Sequence, residues 1–185
     1  MEDHKAAKML EINFGLPKDD VDYLASYAAV KGFSLERALT AQLLAKDYEH
    51  KRIRQLLDMP ALLGERRHVP VENAQPDGYS SFTFTVTGEL FDALLDSAHH
   101  RGMLLNEFIN RRVMEFHMQS PILCLTELTR LASAHDMTVQ NLVSASSDGF
   151  LAGEIASTVL HLFERAQQEV KEYEERKAEA RRRHS

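Results

Sequence analysis

Residues 80–119 carry a strand pattern followed by two helix patterns. Phe82 and Phe84 alternate with serine and threonine, which is the period of a strand with one solvated face. Thr87 is a favourable N-cap for the first helix, and Gly102 can adopt the left-handed backbone conformation that ends it. The apolar residues of the two helices recur at helical spacing: Leu90, Phe91, Leu94, Ala98, Leu105, Phe108, Ile109, Val113 and Phe116.

The same pattern occurs 70 positions earlier, over residues 8–50. Apolar and polar residues alternate around Ile12, and Gly32 marks the break between the two helices. One strand and two helices, in a unit of about 40 residues, cannot enclose a core alone. The repeat therefore predicts that strands near 10–16 and 81–86 pair with each other within the chain. Pairing between two chains is the alternative.

The predicted fold is mainly α with a short two-stranded antiparallel β-ribbon, built from tandem strand-helix-helix units plus C-terminal helices. Prolines and glycines between residues 58 and 79 indicate a linker. Within it, an ordinary wet loop is favoured over phosphate contact for Arg66, Arg67 and His68. The boundaries are 8–50 for unit 1, 51–79 for a linker with a helical start, 80–119 for unit 2, 120–148 for a helical hairpin that is either generic or a degenerate third unit, and 150–185 for a long C-terminal helix.

Each unit resembles the ribbon-helix-helix module of the Arc/MetJ-like family. The second unit is the closer of the two, because of the run from Arg112 to Glu115 and because Asn106 lies in the first turn of its second helix. In this family the antiparallel ribbon enters the DNA major groove. Two units in one chain also resemble the relaxosome-accessory proteins of conjugative plasmids. The resemblance implies a sequence-specific DNA-binding protein that acts as a transcriptional repressor or as an accessory factor of plasmid transfer or maintenance.

The resemblance makes the outward positions of the ribbon the candidate DNA-binding residues. In the second unit these are Ser81, Thr83 and Thr85, whose hydroxyls can hydrogen-bond to base edges. A solvent-facing row of such residues is also ordinary β-propensity. In the first unit they are Glu11 and Asn13. The Asn13 amide can pair with adenine, whereas the Glu11 carboxylate repels phosphate but can accept from cytosine.

The start of each second helix is the other candidate contact with DNA. In the family, free amides there hold a phosphate, as helix N-termini do in general. Ser34 and Asn106 occupy these positions. Glu36 fits this role poorly, because its carboxylate competes with phosphate for the same amides.

The net charge of −6 opposes the DNA-binding interpretation, since DNA-binding domains usually carry a basic surface. The alternative function is a protein-protein interaction module, or an antitoxin-like protein with a degenerate DNA face. In that case a protein partner would bind through the C-terminal helix. The sequence leaves open whether the chain forms a homo-oligomer.

Composition and short motifs narrow the remaining classes of protein function. No apolar run is long enough to span a membrane, and the single cysteine, Cys124, favours a reducing, cytoplasmic setting. His99 and His100 are adjacent, and neighbouring residues on a helix point apart, so no metal site is predicted. No catalytic residues or cofactor are predicted either, because no nucleophile or phosphate-loop motif occurs, and the chain is not expected to be an enzyme.

Overall fold

The structure is a computed structural model that describes residues 9–44, 66–69, 79–119 and 122–183. These ranges contain three strands and seven helices. The strands are β1 (Met9–Pro17), β2 (Arg66–Val69) and β3 (Tyr79–Thr87). The helices are α1 (Lys18–Lys31), α2 (Leu35–Leu44), α3 (Gly88–His99), α4 (Leu105–Gln119), α5 (Leu123–Ala134), α6 (Val139–Ser147) and α7 (Gly153–Arg183). The predicted fold class, mainly α with a small β-ribbon, is confirmed. The helical start predicted for the linker lies outside the described residues.

The chain divides into two compact units, and each draws on both sequence repeats. The first compact unit comprises residues 1–21 and 39–115, and the second compact unit comprises residues 22–38 and 116–185. The first therefore contains all three strands, and the second contains α5, α6 and α7.

The antiparallel ribbon of the first compact unit consists of β1 and β3, and one of its faces is largely apolar. Along β1, every second side chain is buried, from Leu10 through Ile12 and Phe14 to Leu16. Val86 of β3, which pairs with Leu10 in the register, is buried as well. Because successive strand residues point to opposite sides, the polar residues between them lie on the other face of the sheet.

A third strand joins the ribbon at a place where the sequence indicates only a loop. Strand β2 pairs in parallel with β1, with Arg66 opposite Met9 and Val69 opposite Ile12, so that the strand order is β2-β1-β3. The loop prediction for Arg66, Arg67 and His68 is therefore wrong. Four residues that are mostly polar have too little alternation to be identified as a strand, and pairing with the edge of β1 decides their conformation.

The two repeats have matching backbones 70 positions apart. Strand β1 starts at Met9 and β3 at Tyr79. Gly32 and Gly102 both adopt positive φ, at 66° and 61°. The residue after each glycine returns a backbone hydrogen bond to the preceding helix, from Phe33 to Ala28 at 2.9 Å and from Met103 to Ala98 at 3.1 Å. These bonds satisfy carbonyl groups at the helix ends and confirm the predicted breaks.

The helical hairpin of α5 and α6 packs on α7 in the second unit. Thr138 caps α6, because its hydroxyl accepts a hydrogen bond from the Asn141 amide at 3.2 Å. On α7, Val159, Ala166 and Val170 are buried, whereas Ile155 is exposed. Within the described ranges, no helix has the length and apolar character needed to cross a membrane.

Candidate nucleic-acid interface

The register of the ribbon brings the candidate reading residues onto one face. Glu11 pairs with Thr85, Asn13 with Thr83, and Gly15 with Ser81. Residues paired directly across an antiparallel ribbon lie on the same side. The three pairs alternate with the buried residues of β1, so they occupy the face opposite the core.

The Asn13–Thr83 pair is the centre of this face. Asn13 is the middle residue of Met9–Pro17, and Thr83 is the middle residue of Tyr79–Thr87. The two residues are also equivalent in the repeat, because 83 − 13 = 70. The ribbon is thus related to itself by an approximate two-fold axis through this pair, although the residues on the two sides of the axis differ chemically.

The residues on this face are described to different depths. The Glu11 side chain is half-buried. The side chains of Asn13, Ser81, Thr83 and Thr85 lie outside the described part of the structure, and their face is given by the backbone register alone.

Strand β2 adds two basic residues, Arg66 and His68, to the same face. Arg66 pairs with Met9 and His68 pairs with Glu11, so both lie on the side of Glu11 and Asn13. Glu11 is consequently the middle position of a row between His68 and Thr85. No local sequence pattern indicates this arrangement, because only the parallel pairing of β2 brings these residues to the ribbon.

The amides at the start of α4 already have partners within the chain. The Leu104 amide donates to a carboxylate oxygen of Glu107 at 3.1 Å, and the Glu107 amide donates to Asn106 Oδ1 at 2.8 Å. Asn106 lies within the first turn and occupies the Glu107 amide, so the first amides of this helix are not all open. The Glu107 carboxylate competes with an anion here, as the Glu36 carboxylate is expected to do in the first repeat.

Ser34 caps the equivalent helix of the first repeat. Its Oγ accepts a hydrogen bond from the Arg37 amide at 3.2 Å. Ser34 belongs to the second compact unit, whereas Asn106 and the ribbon belong to the first. The structure thus groups Asn106 with the ribbon residues and assigns Ser34 to the other unit.

Asn110 links α4 to the ribbon and was not identified from the sequence. Its Nδ2 donates to the backbone oxygen of Gly15 at 3.1 Å and to that of Asn106 at 3.0 Å. This side chain fixes the beginning of α4 against the end of β1. A polar residue among the apolar positions of an amphipathic helix was the available signal.

Comparison with protein-family models, with curated proteins and with solved structures yields no match for this chain. Among the described residues, no group of three or more histidine, cysteine, aspartate or glutamate side chains is arranged to hold a metal ion.

Proposed function

We propose that this protein binds double-stranded DNA with the polar face of its β1–β3 ribbon and acts as a repressor or as an accessory factor of plasmid transfer or maintenance. The observation that supports this function best is the register, which groups Asn13, Ser81, Thr83 and Thr85 on the face opposite the buried β1 residues. A two-stranded ribbon has the dimensions that the major groove admits.

The chemistry of the face suits base recognition. Serine and threonine hydroxyls donate and accept hydrogen bonds, the threonine methyl contacts thymine, and the Asn13 amide can bond bidentately to adenine. The central pair of the ribbon is Asn13 with Thr83. The approximate two-fold axis through this pair therefore relates two chemically different halves of the ribbon, which contact the two halves of the DNA site. We therefore expect a target that is only approximately palindromic.

The position of β2 limits which part of the ribbon enters the groove. Strands lie about 4.8 Å apart, and a third strand widens the sheet beyond the ribbon that the major groove of about 12 Å admits. Strand β2 covers β1 only from Met9 to Ile12. The two-stranded part from Asn13 to Pro17 and its partners is proposed to enter most deeply, and the Glu11–Thr85 pair is proposed to reach the bases at its border, with Arg66 and His68 beside the flanking phosphates.

The start of α4 is a weaker phosphate contact than in the family, because the Glu107 carboxylate accepts from the Leu104 amide. Together with the net charge of −6, this predicts modest nonspecific affinity that falls steeply with salt. The same two observations favour the second candidate function, a protein-interaction module that retains the fold without binding DNA.

The experiment is a gel-shift comparison on a site selected from random duplexes and on random DNA, at low salt. The test variant is Thr83→Ala with Thr85→Ala. The matched control is Thr126→Ala with Thr158→Ala, which changes two exposed threonines of α5 and α7. Each lost base contact should cost about 1–3 kcal/mol of discrimination, while binding to random DNA persists because phosphates are contacted elsewhere.

Circular dichroism of both double variants is the folding control. A folded test variant with unchanged preference for the selected site excludes this face as the reader. If the wild-type protein binds neither DNA at low salt, the DNA-binding proposal fails and the interaction-module function replaces it.

A further inference from the structure

The exposed face of α4 carries apolar and charged residues in a regular order. The buried residues on the other side of this part of the helix are Phe108, Ile109, Arg112 and Val113. The exposed residues, called the α4 stripe from here on, are Leu104, Glu107, Arg111 and Met114. They follow one another at intervals of three, four and three, so they share one face of the helix. This spacing is the one by which two helices meet along a seam.

The two ends of the α4 stripe are large apolar side chains. Leu104 is 67% exposed and Met114 is 44% exposed. The Leu104 carbonyl accepts a hydrogen bond from the Phe108 amide at 2.9 Å, so Leu104 belongs to the first turn of the helix. A single exposed apolar residue is ordinary on a protein surface. Two of them at the ends of one helical face are typical of the anchors that a second helix contacts.

The two middle residues of the α4 stripe have opposite charges and do not pair with each other. Glu107 and Arg111 are four residues apart, a spacing that allows an ion pair along a helix. The Glu107 carboxylate instead accepts from the Leu104 amide at 3.1 Å. Arg111, whose side chain is 58% exposed, donates through Nε to Glu115 at 3.1 Å. Each of these bonds uses a single oxygen of the carboxylate or a single nitrogen of the guanidinium, which has further donors.

Two copies of the α4 stripe are complementary when the helices run antiparallel and the pair is centred at position 109. Leu104 of one copy then lies opposite Met114 of the other, and Glu107 lies opposite Arg111. Because this arrangement has two-fold symmetry, each contact occurs twice. Two apolar contacts therefore enclose two ion pairs. A parallel arrangement in register would place each charge opposite an identical charge, which is repulsive.

We propose that the α4 stripe is a dimerisation surface on which a second copy of this chain docks in the antiparallel orientation. The helix macrodipoles are opposed in this orientation, which favours it as well. The surface extends over about three helical turns and is smaller than the about 1,200–2,000 Å² that stable interfaces bury. The dimer is accordingly weak and forms at about 10–100 µM protein.

The first repeat lacks the charge pair of the α4 stripe, although its backbone matches. The positions 70 residues earlier are occupied by Ser34, Arg37, Ala41 and Leu44. This set contains one cation and no acidic residue, and the antiparallel arrangement would place Arg37 opposite Ala41. The shared helix pair thus does not require the alternation of the α4 stripe. The proposed surface belongs to the second repeat alone.

The test is sedimentation equilibrium of the full chain between about 5 and 500 µM. The variants Glu107→Arg and Arg111→Glu each place like charges opposite one another twice, and each should raise the dissociation constant at least about tenfold. An equimolar mixture of the two variants restores both opposite-charge contacts, because each variant supplies the charge that the other lacks. The mixture should therefore have a higher average mass than either variant alone.

A second pair of variants tests the apolar ends without a change of charge. Leu104→Ala with Met114→Ala should weaken the dimer about tenfold, because both anchors are truncated. The matched control is Leu123→Ala with Met137→Ala, a leucine 75% exposed and a methionine 39% exposed that lie outside α4. This control should dimerise like the wild type, and circular dichroism checks that every variant is folded.

Three results would overturn the proposal. They are a wild-type chain that stays monomeric up to about 500 µM, single charge variants that dimerise like the wild type, and a mixture that is no heavier than its components. The inference does not rest on DNA binding. Thr83→Ala with Thr85→Ala should dimerise like the wild type in the absence of DNA, so loss of base reading and loss of dimerisation can be told apart.

Discussion

Helices α1 and α3 occupy the same place in the two repeats, yet the side chains at their matching positions differ. On α1, Tyr27 donates to Glu174 of α7 at 2.5 Å, and Lys31 contacts the other oxygen of that carboxylate at 2.6 Å. Tyr23 of α1 stacks on His117 with ring centroids 4.5 Å apart. The residues at the matching positions of the second repeat are Ala93 and Ser97 on α3 and Arg101 in the turn that follows it.

This difference shows that the two repeats share one backbone conformation, while the side chains on their surfaces differ. Both helices bury a leucine at the same position, Leu24 and Leu94. The neighbouring positions of α1 carry large aromatic groups that pack within the second compact unit. On α3, Ser97 is buried and its hydroxyl has no hydrogen-bond partner among the described residues. A duplicated fold can thus acquire a structural role in one copy and leave the other copy for different chemistry.

The largest effect should come from the shared core position. Leu24→Ala and Leu94→Ala each remove a fully buried side chain, and each should lower the free energy of unfolding by about 2–5 kcal/mol. Urea denaturation followed by circular dichroism measures both losses. A cost near zero for one variant and a full cost for the other would show that the two repeats are not equivalent at their core.

The next effect should be confined to α1. Tyr27→Phe removes the hydrogen bond to the Glu174 carboxylate and should cost about 1.5–3 kcal/mol, as bonds to charged groups do. The matched variant Ser97→Ala removes a hydroxyl without a described partner and should change stability by less than about 0.5 kcal/mol. Equal losses, measured by the same denaturation, would contradict the assignment of the supporting role to α1.

A smaller and symmetrical effect is expected at the glycines that end the two helices. Gly32→Ala and Gly102→Ala force a side chain into left-handed geometry, with no atom within 4 Å of either added Cβ. Each should cost about 1–2 kcal/mol from backbone strain alone. Thermal unfolding measures both, and a cost restricted to one repeat would reveal a contact that the shared geometry does not explain.

The smallest effect in ordinary buffers is the titration of the α1 tyrosines, since it appears only at alkaline pH. Burial raises the pKa of Tyr23 from 10.0 to about 12. Burial, followed by the hydrogen bond to the Glu174 carboxylate, raises the pKa of Tyr27 as well. Because the folded state holds the protonated form, this stabilisation is complete below pH 10 and is lost as the pH rises towards 12 and beyond.

The measurement is the free energy of unfolding between pH 9 and pH 12 for the wild type and for Tyr23→Phe. The wild type should lose stability more steeply, because the variant no longer contributes the Tyr23 titration. Parallel curves would mean that Tyr23 ionises equally well in the folded and unfolded chain.

The sequence by itself determined the local elements. Alternation at Ile12 and Phe14, repeated 70 residues later, predicted two strands, and Thr87 and Gly102 set the ends of α3. These features depend on neighbouring residues and on the hydrophobic effect along a short stretch, so they can be read without knowing the rest of the fold. The face shared by Asn13, Thr83 and Thr85 follows from the same alternation.

Tertiary structure alone decided the features that depend on distant residues. Strand β2 exists because four mostly polar residues pair with β1, and no local pattern predicts it. The bonds from Asn110 to Gly15 and from Tyr27 to Glu174 join positions 95 and 147 residues apart. Hydrogen bonds and ion pairs act over a few ångströms, and only the folded chain determines which groups come that close.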